Sequence, residues 1–390
     1  MPPLVSLIII GYNSQKFLKT CFDAILAQTY PNLELIFIDN NSSDDSVEWT
    51  RQTYIDYLAE DATKRLIVIK NADNIGYTGA ANQGIKMSKG EYVVITNPDI
   101  IYTPEYFEQA VAHMEGDAKI AALTGKVVKY DFGKQNADGT FGGAGQQTCP
   151  SGAANLIDTV GLAIFRSRRV IDDGQGLTDD GRFDTDATQG GHQVFGISGA
   201  CPIYRRTALD DVKLTVEGPH GEKETEYLDG NFFMYKEDVD LSWRFTLLGW
   251  KCWYDPRAVA YHGRGTGVKQ RFTVGQVVKE RDGLSPFQKT YSYRNHRLMQ
   301  LKNELWGNFW HDFLYIAARE IGSLVYVTFR EPYIWKSIWQ MVKLIPSTLR
   351  KRRQIMTRVE DHWRHRGGMR AAAREMQQWF VEHSRYVKND

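Results

Sequence analysis

With 390 residues, 42% of them hydrophobic and 24% charged, the chain can bury a full core and has an ordinary globular composition. Its net charge of +1 argues neither for nor against a nucleic-acid partner. Cys21, Cys149, Cys201 and Cys252 are scattered without a Cys-x-x-Cys pair, which speaks against a disulfide framework and for a reducing, cytoplasmic setting.

The N-terminus lacks a basic segment and breaks at Gly11, so residues 5–10 read as a buried parallel strand and not as a signal peptide. Phe17, Leu18, Cys21, Phe22, Ile25 and Leu26 form a helical stripe that Tyr30-Pro31 stops. A second strand is expected over 33–38, ending at Asp39. The turn Asn40-Asn41-Ser42-Ser43 and a helix over 44–59 follow. The third strand covers 66–69. Residues 71–79 form a Gly- and Asn-rich loop before a short helix over 80–87, and a fourth strand over 92–96 runs into Asn97-Pro98-Asp99. Four such alternations predict an α/β domain with a mostly parallel sheet. Ligands of such sheets bind outside the carboxyl ends of the strands, where Asn13, Asp39, Asn74 and Asp99 fall. Residues 130–191 read as long loops with short strands, and 194–204 return to strand-like character.

Residues 227–264 concentrate the chemistry. Glu237, Asp238 and Asp240 follow an aromatic run over 232–235. Leu241, Phe245 and Leu248 then predict a helix that Gly249 ends. A short strand over 251–254, a turn at Asp255-Pro256 and a second strand bring His262 to Gly263-Arg264-Gly265. After a polar segment over 265–285, long helices are expected from 291 to 349. Trp306, Trp310 and Phe313 share one face; Tyr333, Trp335, Ile338, Trp339 and Val342 form a second set beside Lys336, Lys343 and the basic run 350–353. Such faces suit a membrane interface with anionic lipids, while a helical subdomain or an oligomer contact would bury the same stripe. No apolar run is long enough to cross a bilayer.

Each candidate residue has two readings. Asp39 can accept the imide N–H of a uracil or thymine ring, or cap its own turn. Asp99 can hold a divalent cation or sit in an ordinary Asn-Pro-Asp turn. His262 would add a nitrogen donor that suits Mn²⁺ at least as well as Mg²⁺, or serve as a structural strand end. Asp238, beside Glu237, can take a proton from an attacking hydroxyl, or complement a helix dipole.

Order and spacing decide among these. VSLIIIGYN, IDNNSSD, NADNIGYTGAANQGI, TNPD, FFMYKEDVDLSWR and a following strand-end histidine together resemble the family 2 glycosyltransferases of the GT-A fold over residues 4–265. The resemblance is closest to bacterial rhamnosyltransferase-like members, also through IDDGQGLTDDGRFD. It implies a GT-A catalytic domain over 1–268, which leaves 269–390 as a C-terminal helical region whose aromatic and basic faces favour membrane association over a helical subdomain or oligomer contact. It further implies that Gly11, Tyr12 and Asp39 hold the nucleotide, that Asn74, Gly76 and Asn97 border the nucleotide sugar, and that Arg244 and Arg264 contact the diphosphate or sugar. Asp99 and His262 would bind Mn²⁺ or Mg²⁺. Asp238 would be the catalytic base, with Glu237 beside it in the acceptor site. Asn97 departs from the Asp-x-Asp of many relatives and removes one charged metal ligand.

The partners so implied are a dTDP- or UDP-sugar donor and a glycan or lipid-linked glycan acceptor. Contact is expected with the inner face of the plasma membrane, or with a second copy of the chain, and none with nucleic acid. The non-catalytic alternative, a nucleotide-sugar or lipid-surface binding module, is opposed by the intact Asp39, Asp99, Asp238 and His262, and a dinucleotide-binding dehydrogenase would need Gly-x-Gly-x-x-Gly after the first strand, which is absent.

Overall fold

The computed structural model describes residues 1–58, 64–132, 153–184, 190–218, 220–263, 278 and 281–382. Its strands are β1 (Val5–Gly11), β2 (Leu33–Asp39), β3 (Lys64–Lys70), β4 (Tyr92–Thr96), β5 (Ile100–Tyr102), β6 (Ile120–Tyr130), β7 (Ala153–Thr159), β8 (Leu162–Ile164), β9 (Val170–Asp172), β10 (His192–Val194), β11 (Ile203–Arg205), β12 (Leu214–Glu217), β13 (Lys223–Glu226) and β14 (Lys251–His262). Helices α1 (Gln15–Leu26), α2 (Ser46–Thr53), α3 (Gly76–Met87), α4 (Tyr106–Gly116), α5 (Arg206–Val212) and α6 (Glu237–Leu247) are threaded among them.

The main sheet has the order β10-β14-β6-β11-β4-β1-β2-β3, with β5 on β14 and β7 on β6. Its β4-β1-β2-β3 half is parallel throughout, and β11 inserts antiparallel between β4 and β6. β1 and β2 are buried along their whole length, as their apolar runs require of strands covered on both faces; buried Ser6 donates to Glu34 on the neighbouring strand at 2.6 Å. The fold is the expected α/β, GT-A-type arrangement.

Three local expectations are corrected. Helix α3 starts at Gly76, inside the expected loop, because the Asn74 side-chain oxygen Oδ1 accepts the Gly76 N–H (3.0 Å) and starts the turn early. Asp255-Pro256 does not separate two strands. It lies in a bulge of the single strand β14, where the register against β6 shifts between Asp255 and Val259. Gly125 makes room for it, since a Cβ there would lie 1.9 Å from the Ala258 carbonyl oxygen. The helix expected over 44–59 is shorter, α2 giving way to a 3₁₀ turn at Ile55–Tyr57.

The C-terminal helices are α7 (Pro286–Asn303), α8 (Trp306–His311), α9 (Phe313–Arg330), α10 (Trp335–Trp363) and α11 (Gly368–Glu382). α7 begins with a reciprocal Ser285–Gln288 cap and Pro286 in its first turn. Leu298, Ile355, Val359, Met376 and Phe380 join one core cluster with Ile8, Ile36 and Trp243 of the α/β part. Buried Arg168 adds a polar joint, reaching Glu304 at 2.6 Å and Asp312 at 2.8 Å. The expected boundary at 268 lies outside the described residues. α9 leaves Leu314 (78% exposed), Ile321, Val325 and Phe329 (80%) facing outward, with Trp306, Trp310 and Trp339 also exposed. No helix among the described residues is long and apolar enough to cross a membrane.

Candidate active site

Parallel pairing of β1 and β2 ends Gly11 and Asp39 side by side. A Cβ on Gly11 would come within 2.7 Å of the Phe37 ring, so this corner admits no side chain. Asp39 is fully buried. Its Oδ2 accepts the Ser42 N–H at 2.9 Å, while Oδ1 is buried without a hydrogen-bond partner and keeps its acceptor capacity. Tyr12 is exposed.

Asn40 had no role in the sequence reading, yet it is the hub of the next layer. Its Nδ2 donates to the Asn74 side-chain oxygen (2.9 Å) and the Gly76 carbonyl (3.1 Å). Its Oδ1 accepts from Asn71 (3.2 Å) and the Ile75 N–H (3.1 Å). All of its hydrogen-bonding capacity is used to bind the β2 loop to the start of α3. Gly76 has φ +78°, and a Cβ there would lie 2.5 Å from the Phe233 ring, so glycine is required twice over.

At the end of β4 the Asn97 carbonyl accepts the Ile100 N–H (3.3 Å), turning the chain at Pro98. Pairing of β5 with β14 places His262 opposite Ile100, and the Gly263 N–H donates to the Asp99 carbonyl at 2.9 Å. His262 Nε2 then lies 3.5 Å from Asp99 Oδ1, and its Nδ1 lies 2.8 Å from Asp158 Oδ2 on β7. Asp158 was not foreseen, since it reaches the site only through the pairing of β7 with β6. A carboxylate behind an imidazole fixes the ring and its tautomer, as metal-binding histidines require. Burial alone would lower the His262 pKa; hydrogen bonds to Asp158 and Asp99 outweigh it and raise the group to about 9. Among the described residues no group of three or more His, Cys, Asp or Glu is placed to hold a metal ion. Once His262 gives up its Nε2 proton, as metal binding requires, Asp99 and His262 make a two-donor set. It suits a cation that takes its remaining ligands from phosphates and water.

The segment before α6 is tightly specified. Asn82 receives the N–H groups of Tyr227 (2.7 Å) and Leu228 (3.0 Å) and donates to the Leu228 carbonyl (2.8 Å). Phe233, at φ 63° and ψ −55°, centres a γ-turn in which the Met234 N–H reaches the Phe232 carbonyl at 2.7 Å. Tyr235 and Lys236 follow at φ 72° and 74°. Positive-φ positions occupied by side chains cost about 1–3 kcal/mol each and persist where the surroundings over-determine them.

This turn delivers Glu237 and Asp238 as the first residues of α6. Asp238 Oδ2 accepts the Gly199 N–H (3.0 Å) and Oδ1 the Val239 N–H (2.8 Å), whereas Glu237 Oε2 is buried without a partner. Burial raises both pKa values. The neighbouring Asp238 charge helps push Glu237 up to about 8, and Asp172 adds to the rise at Asp238. The Tyr77 hydroxyl donates to the Gly199 carbonyl at 3.2 Å. Its burial, with the charges of Glu237, Asp238 and Asp99 nearby, raises its pKa well above the ordinary value. Tyr77 thus feels the charges of both the acid pair and Asp99.

Arg244 does not join this group. It is buried, and its guanidinium is engaged by Asp240 (3.1 Å) and by the carbonyls of Val212 (2.7 Å) and Tyr227 (2.6 Å). Four residues after Asp240, it lies on the inner side of α6 and braces the helix instead of reaching a diphosphate. Asp240 in turn receives Lys302 (2.9 Å) and Asn303 (2.8 Å) of α7. Arg264 lies outside the described residues.

The sequence from residue 6 to 213 matches the model of the family Glycosyl transferase family 2. Among similar proteins, glycosyltransferase GlyG of Streptococcus pneumoniae is 33% identical over 36% of this chain and 43% of its own length. UDP-Glc:alpha-D-GlcNAc-diphosphoundecaprenol beta-1,3-glucosyltransferase WfaP of Escherichia coli is 30% identical over 33% of this chain and 48% of its own. These alignments therefore span about half or less of the relatives' length. Among solved structures, GalNAc-T7, crystallised with UDP, GalNAc and Mn²⁺, superposes with a TM-score of 0.52 at 15% identity, covering 80% of this chain and 50% of the other. That is a likeness of fold. With its strand order, the carboxylates at its strand ends and a family match over more than half its length, this chain belongs to glycosyl transferase family 2 and has the GT-A fold.

Proposed function

We propose that the chain transfers a sugar with inversion, using a divalent metal. L-rhamnose from dTDP-L-rhamnose is the first candidate donor, and a growing, lipid-linked surface glycan the acceptor. The observation that carries this reading is Asp238, half-buried at the start of α6 beside Glu237, with both oxygens aligned by backbone N–H groups. In this reading Asp39 offers its unused oxygen to the imide N–H of a thymine or uracil, and Gly11 and Tyr12 border the base and ribose. Asn74, Gly76 and Asn97 border the donor.

Asp99 and His262 would hold Mn²⁺ or Mg²⁺, which when bound neutralises charge on the leaving diphosphate. Asp238 takes the proton of the acceptor hydroxyl as its oxygen bonds to the anomeric carbon and the carbon–oxygen bond to the diphosphate breaks. One displacement from the opposite face inverts the centre, and no side chain is alkylated on the way.

A UDP-sugar donor is the second reading, favoured by the UDP-glucose in the name of WfaP and the UDP bound to GalNAc-T7. Uracil and thymine carry the same imide, so Asp39 does not separate them. Residues 1–268 would then form the catalytic part. The helices beyond would hold it, as a monomer or a homo-oligomer, against the inner face of the plasma membrane, where a lipid-linked acceptor resides. The outward apolar face of α9, with exposed Arg330, Lys336 and Lys343 nearby, fits a bilayer with anionic headgroups.

Asp238→Asn tests the assignment: turnover is expected to fall at least about 100-fold, while the affinity for the nucleotide sugar changes little. Near-normal turnover would overturn it. The donor is found by thermal shift with dTDP-L-rhamnose, UDP-galactose and UDP-GlcNAc in Mn²⁺, where a bound ligand raises the melting temperature. No shift with any of them counts against the reading.

A further inference from the structure

The strained turn before Asp238 does not hold itself. Asn295, fully buried on α7, points its amide into that turn. Its Nδ2 lies 2.9 Å from the Phe232 carbonyl, 2.8 Å from that of Met234 and 2.9 Å from that of Tyr235. Two amide hydrogens face three carbonyls, so at least one hydrogen is shared. Arg294 fixes which way the amide points, because its Nε–H donates to Asn295 Oδ1 at 3.0 Å. The same guanidinium reaches the carbonyls of Asn231 (2.8 Å) and Phe232 (3.2 Å). Carbonyls of the turn around Phe233 and the positive-φ residues Tyr235 and Lys236 therefore meet donors from a helix some sixty residues later.

We propose that Asn295 is a positioning residue for transfer, clamping the 232–236 turn so that the first turn of α6 presents Asp238 to the acceptor hydroxyl. The helical C-terminal region is on this account a working part of the active site. The proposal rests on Asp238 as base, and the test separates the two.

Asn295→Asp keeps the side-chain shape but replaces the donor with an acceptor facing three carbonyls; Asn295→Ala removes both. In full-length protein, hydrogen exchange at the amides of 234–238 is expected to quicken at least about tenfold in both variants, with β1 and β4 amides unchanged. kcat is expected to fall about 100-fold, with KM and the calorimetric Kd for the nucleotide sugar within about threefold of wild type. The acid limb of the kcat–pH profile should move to lower pH as the loosened turn admits water to Asp238. Unchanged exchange at 234–238, or a fall in kcat that only tracks the folded fraction, would overturn the clamp. Failure of the base assignment shows separately: Asp238→Asn would stay active while the exchange result stands.

Discussion

Glu237 has the clearest consequence among single residues. Its carboxyl is buried, one oxygen has no partner, and its pKa is raised from 4.5 to about 8. The folded state therefore binds this proton more tightly than the unfolded chain. Stability from the group is full below the unfolded pKa and is lost as pH rises through the folded one. Glu237→Gln cannot ionise and escapes that loss. The melting-temperature difference, variant minus wild type, is expected to grow between about pH 5 and pH 8; a constant difference would refute the raised pKa. At Gly76 the backbone itself is at stake. Gly76→Ala would set a Cβ 2.5 Å from the Phe233 ring and 2.7 Å from the Phe233 carbonyl, at φ +78°. We expect a loss of about 2–4 kcal/mol in urea unfolding, and weaker donor binding, because α3 and the 232–236 turn cannot both keep their places.

At the level of elements, α6 and α7 are riveted through buried charge. Lys302 is fully buried and pairs with Asp229 and Asp240, Lys351 of α10 reaches Asp229 at 2.5 Å, and Asn303 adds a bond to Asp240. The two lysines hold the Asp229 carboxyl well below the ordinary range against the pull of burial. Removing one partner of such a group leaves uncompensated charge, which outweighs the modest net value of the intact pair. Lys302→Met is expected to destabilise the protein by about 3–5 kcal/mol, read as a lowered urea midpoint. The loss should shrink at acid pH, where protonation of Asp229 relieves the buried charge. This joint explains why Asp240 shares no chemistry with its acidic neighbours: it faces inward to α7, while Asp238 faces Gly199.

For the whole molecule, shared packing decides which experiment is informative. Truncation before α7 would remove the clamp on the turn and part of the main core along with any membrane contact, so surface variants are the cleaner probe. Ile321→Glu with Phe329→Glu puts charge on the outward face of α9 and touches none of the proposed site residues. Wild type is expected to float with phosphatidylglycerol vesicles and not with phosphatidylcholine alone, and the double variant to stay at the bottom of the gradient. Its transfer to a soluble acceptor should be unchanged. Equal flotation of the two, or a light-scattering mass that halves in the variant, would replace the membrane with another surface or with a second copy of the chain.

Sequence alone determined the parallel β1–β4 half and the positions of Asp39, Asp99, Asp238 and His262, because apolar runs and strand-end carboxylates are written locally. It also marked the aromatic faces of the C-terminal helices. Contacts between distant segments could not be read this way. Asp158 reaches His262 across 104 residues, and Asn295 reaches the 232–236 turn across about sixty. The family resemblance implies a ligand role for Arg244. Only the tertiary structure decided that its donors turn inward, since whether a buried arginine serves a site or a scaffold depends on which carbonyls packing brings within reach.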